Sequence, residues 1–139
     1  MAETIRQKIL QRVAQDLLAL NSIKSAEVER LSPLDLDTLP LPSVFVYPGR
    51  EVRETETMGH ETWRLEVQVE AWAKEEQLEG LLGEIHQALY QDRRLGGLAL
   101  SLVRAGSDMY VVDPSRALGG MLITFEVLYR HAVGDPYNV

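Results

Sequence analysis

The stretch Thr62–Trp72, TWRLEVQVEAW, decides the fold of this chain. Trp63, Leu65, Val67, Val69 and Ala71 alternate with Arg64, Glu66, Gln68 and Glu70. A strict period of two over this length means a β-strand with one buried face and one face that is wet or covered by a partner. The run Met121–Arg130 repeats the pattern, with Met121, Ile123, Phe125, Val127 and Tyr129 on one face. These two segments are expected to be the longest strands. Val67, Val69, Ile123 and Phe125 are expected in the core.

Upstream of the first strand, residues 51–58 read as a polar strand and Met58-Gly59-His60-Glu61 as a turn. Ser43–Tyr47 (SVFVY) reads as a compact strand that Pro48-Gly49 ends. Ser32–Pro42 carries three prolines and alternates Leu with Asp, which predicts an irregular connection. A short strand is expected around Ala26–Arg30. Residues 3–20 form the first helix: Ile5, Ile9, Val13, Leu17 and Leu20 recur at helical spacing, and Leu10, Ala14 and Leu18 widen the stripe. Asn21 and Ser22 are read as its stop.

Downstream, a second helix is predicted at about 74–92, with Leu78, Leu81, Leu82, Ile85 and Leu89 as its stripe. Arg93 and Arg94 suit its C-terminal dipole, and Gly96-Gly97 supplies the turn out. Leu98–Arg104 reads as another strand. Gly106–Gly120 reads as a loop with room for a short strand at Tyr110–Val112, and the tail VGDPYNV as turns. The expected fold class is α+β: a mixed, mostly antiparallel sheet of about six strands, covered by two main amphipathic helices. One domain is expected to span residues 1–139.

Composition fits this picture. Hydrophobic residues make up 45% of the 139 and charged residues 25%, which is ordinary for a globular domain. The chain has no cysteine, so disulfides, thiolate metal sites and cysteine nucleophiles are excluded. Formal net charge is −7, and no cluster of Lys and Arg offsets it, so general nucleic-acid binding is disfavoured. No run approaches the roughly 18–20 apolar residues of a membrane span. The charged opening MAETIRQKIL does not read as a signal peptide.

Signs of chemistry are sparse. His60, His86 and His131 form no metal-binding spacing. There is no GxSxG elbow, and neither Gly96-Gly97 nor Gly119-Gly120 opens a phosphate loop. Glu66, Gln68 and Glu70 share a strand face, as acidic residues do in metal-dependent nucleases, but Gln68 stands where a lysine would help. No catalytic, cofactor-binding or metal-ligating residue is therefore expected, and no cofactor. One charge pattern stands out: Glu51, Arg53, Glu54, Glu56, His60, Glu61 and Arg64 crowd a predicted hairpin too polar to anchor a core. Such a hairpin is a solvated arm or a surface for a charged partner.

The order of these elements resembles the tail terminator proteins of long-tailed bacteriophages. The likeness rests on the opening helix IRQKILQRVAQDL, the strand PSVFVYPG and the acidic hairpin running into TWRLEVQVEAWA. It continues in LLGEIHQALYQDRRLGG, a helix ending in an Asp-x-x-Leu-Gly-Gly turn, and in GGMLITFEVLYRHAVGDPY. The segment Gly106–Gly120 has no match in it. The resemblance implies a non-enzymatic virion protein at the head-proximal end of the tail, assembled in the host cytoplasm. It implies a ring, usually a hexamer, that caps the last ring of major tail tube protein and receives a head-side connector or neck protein. DNA would pass through without specific binding. The alternatives are a neck or head-closure adaptor of the same tail system and, from other classes, a metal-dependent nuclease or a small-ligand-binding domain.

Overall fold

The computed structural model describes residues 2–28 and 38–139. Helix α1, Ile5–Leu18, starts at a capping box. The Gln7 amide donates to the Thr4 hydroxyl at 3.0 Å, and the Thr4 amide donates to the Gln7 side chain at 2.9 Å. Five strands follow around a second helix: β1, Ser25–Val28; β2, Ser43–Thr57; β3, His60–Lys74; helix α2, Leu78–Tyr90; β4, Ser101–Asp113; and β5, Leu118–Ala132. Single 3₁₀ turns precede α2 and flank β4. The sheet order is β1-β2-β3-β5-β4. β1 runs parallel to β2, and every other pairing is antiparallel.

The α+β class and the mixed, mostly antiparallel sheet are as expected, with five strands in place of about six. Both helices pack on one face of that sheet. Ile9, Val13 and Leu17 from α1 and Leu81, Ile85 and Leu89 from α2 join Leu65, Val67, Val69 and Ala71 of β3 in one apolar cluster. Ile123, Phe125 and Val127 of β5 complete it, each fully enclosed. Leu82, expected in the core, is only partly buried at its margin.

Several boundaries differ from the sequence reading. The helices are shorter than 3–20 and 74–92, and α1 stops at Leu18, before Asn21 and Ser22. Pro48-Gly49 does not end the strand at Tyr47. The irregularity between Pro48 and Glu51 is absorbed as a β-bulge, and β2 continues to Thr57 as one strand of 15 residues. It therefore matches β3 and β5 in length, so the two expected strands are not alone as the longest. The hairpin turn is tighter than 58–61: Thr57 pairs with His60, and Gly59 takes the positive φ of 87° that the turn needs. The largest difference is at Gly106–Gly120, where most of the expected loop is strand. β4 covers Ser101–Asp113, and β5 already begins at Leu118. The short strand expected at Ala26–Arg30 appears as Ser25–Val28. Its last two residues, and most of the irregular connection 32–42, lie outside the described residues.

Candidate functional site

Strands β2, β3 and β5 run together past the ends of the helices and form an arm. Its tip carries Met58, fully exposed at 101%. The seven residues singled out in sequence all lie on it, but they differ in what holds them. Glu51 is held from the helix side: it accepts from the Tyr129 hydroxyl at 2.8 Å and pairs with Arg6 at 3.7 Å. Burial and the bond to the Glu51 carboxylate push the Tyr129 hydroxyl well above its ordinary value. Arg64 bridges Glu54, at 2.6 Å, and Glu126, at 3.0 Å. Its hydrogen bond holds the Glu54 carboxyl below the usual range. Glu61 lies opposite His131, whose ring is buried, with Nδ1 3.8 Å from the carboxylate and 2.8 Å from the Ala132 carbonyl. Arg53, Glu56 and His60 make no ion pair among the described residues. The hairpin is thus partly tied down, with a fringe of unmatched charge.

On the opposite face of the sheet, which no helix covers among the described residues, lies a polar cluster. Directly paired residues share a face, so Trp72 and Tyr110 flank Gly120, and Glu70 pairs with Phe45 and Leu122. Tyr110 is the hub. Its hydroxyl donates to Glu70 at 2.6 Å and accepts from the Trp72 indole at 3.0 Å, while the Tyr47 hydroxyl donates to the same carboxylate at 3.3 Å. Burial, then the Glu70 bond, raises the Tyr110 hydroxyl well above its ordinary value. The Tyr110 ring lies over Gly120, where an added Cβ would sit 2.6 Å from ring carbons. This cluster joins residues about forty positions apart, and sequence reading missed it. The available signal was Trp72, which has the same alternation parity as the carboxylates of the 62–72 run.

The face of Glu66, Gln68 and Glu70 is therefore not a set of three free carboxylates: Gln68 is an amide, and Glu70 is engaged by two tyrosines. Among the described residues no three His, Asp or Glu side chains converge to hold a metal ion. The three histidines are dispersed: His60 by the hairpin turn, His86 stacked on Tyr90 at 4.1 Å, and His131 beside Trp63 at 6.1 Å. Among the described residues no helix is long and apolar enough to cross a membrane.

No family model matches the sequence, and no curated protein matches it. Among solved structures, the fold is similar to a chain in the virion of a native gene transfer agent particle. That similarity has a TM-score of 0.43 and 10% sequence identity, and it covers 91% of this chain and 92% of the other.

Proposed function

We propose that this protein is a non-catalytic structural component of a phage-type tail, which closes into a hexameric ring on the end of the tail tube. It stops further addition of tube protein and presents its opposite side to the head-side connector. The reading rests on the resemblance in element order and on one structural observation. The arm of β2, β3 and β5 reaches beyond the helices with an exposed outer segment at 52–57 and unmatched charges at Arg53 and Glu56. An arm like this is poorly used in a lone molecule and well suited to contacts between copies or with a tube. Capping would draw its free energy from buried surface and complementary charge, with no bond made or broken.

The test adds purified protein to growing tail tubes. Tubes are expected to stop at shorter lengths in proportion to the protein added, with protein found at one end only. Tube growth unaffected at saturating protein would refute capping. Arrest at the head-side connector with no tube binding would point to the neck adaptor. Cleavage of DNA that needs a divalent ion and disappears in Glu66→Gln would replace both readings with the nuclease.

A further inference from the structure

The C-terminal segment 133–139 is exposed apart from the partly buried Asp135, so little apolar burial holds it. Chain ends of this kind ordinarily fray unless something ties them down. Here hydrogen bonds do so. Gly134, at a φ of 73°, turns the chain back, and Asp135 forms an isolated β-bridge with Ala132. The Asp135 carboxylate closes the turn: it accepts from the Asn138 side-chain amide at 2.7 Å and from the Tyr137 backbone amide at 3.1 Å. Those bonds hold the carboxyl below the usual range.

The folded segment reaches two distant places. The Ala132 amide donates to the Asn138 carbonyl at 2.8 Å, and the Val133 amide donates to the Gly59 carbonyl at 3.1 Å, in the turn between β2 and β3. The Pro136 carbonyl accepts from the Ile5 amide at 2.9 Å. That amide is one of the first-turn donors that α1 cannot satisfy by itself. The start of α1 is also tied to the arm lower down, through Arg6, Glu51 and Tyr129. The tip is the part of the arm that needs a tie. The outer side of 50–57 borders no described strand, and the register of β2 shifts twice, between Pro48 and Glu51 and between Arg53 and Thr55.

We propose that residues 133–139 act as a clasp that fastens the tip of the arm to the first turn of α1, so that these two places open and close together while the core stays folded. Whatever loosens or tightens the clasp acts on both, so a partner seated at either place is sensed at the other. The clasp lies within a single chain and does not depend on the ring reading.

Amide hydrogen exchange of the full chain, followed residue by residue by NMR, tests the clasp. Asp135→Ala removes the acceptor that closes the turn. The Val133 amide reports the tip and the Ile5 amide reports the helix start. Both are expected to exchange at least several-fold faster in Asp135→Ala, with Val69 and Ile123 in the core unchanged. Thr4→Ala acts from the helix end and should speed Val133 as well, because coupling is reciprocal. Asp113→Ala is the control. Asp113 accepts from the Ser115 amide at 3.1 Å in a similar turn at the opposite end of the sheet, and its loss should leave both reporters alone. Faster exchange at Val133 with Ile5 unchanged in Asp135→Ala would overturn the proposal, since the segment would then serve only its own turn. So would no change at either reporter, or a Thr4→Ala protein in which Val133 is untouched. Equal acceleration in the core, or the same acceleration in Asp113→Ala, would also overturn it by showing a general loss of stability.

Discussion

Tyr129 and Tyr110 hold two parts of the sheet through the same device, a phenol donating to a carboxylate. In each case burial and the carboxylate favour the neutral hydroxyl. A group whose folded value is raised contributes stability that is fully present below its unfolded value, near 10 for tyrosine. That contribution is lost as pH climbs from there toward the raised folded value. An alkaline titration followed by tyrosinate absorbance should therefore show Tyr129 and Tyr110 ionising late, together with unfolding. Tyr129→Phe should remove one late titrant and cost about 1–3 kcal/mol, since a charged partner is left behind. Ordinary ionisation of both hydroxyls in the folded protein would contradict this. Glu54 has the opposite sign: its carboxyl is depressed by Arg64, so its small contribution is present at neutral pH and fades as acid protonates it.

Among the elements, β3 and β5 supply the core, and Phe125→Ala should cost about 3–5 kcal/mol in chemical denaturation. The value would fall well below that range if the side chain were not enclosed. Gly120→Ala probes the other face. Its new methyl meets the Tyr110 ring, so the ring must leave Glu70 and Trp72, at an expected cost of about 1–3 kcal/mol. A change in Trp72 emission should accompany it; unchanged emission and stability would show that the ring is not seated over Gly120. The contrast between these strands explains what the sequence could disclose. Residues 62–72 and 121–130 separate buried from exposed side chains, so their alternation is plain. Residues 105–112 have no buried face and border no described strand on one side, so AGSDMYVV shows no alternation and reads as a loop. Pro48-Gly49 carries a strong stop signal, yet the bulge keeps β2 in register beyond it. The charged residues of the hairpin were legible as a group. Their division into bonded (Glu51, Glu54, Arg64) and unmatched (Arg53, Glu56) depends on Tyr129, Arg6 and Glu126, which lie far away in sequence.

At the scale of the whole molecule, net charge governs what the protein repels. Each copy carries a net charge of −7, which the proposed ring would concentrate. Duplex DNA would then meet like charge and would not be retained. Gel-shift titration at physiological salt should show no complex; a salt-sensitive shift would contradict the expected free passage of DNA. The central claim is the closed cap, and imaging capped tail tubes to count the subunits at each end tests it most directly. Six copies in one closed ring at a single end is the predicted result. A two-fold dimer, or tube ends without this protein, would contradict it.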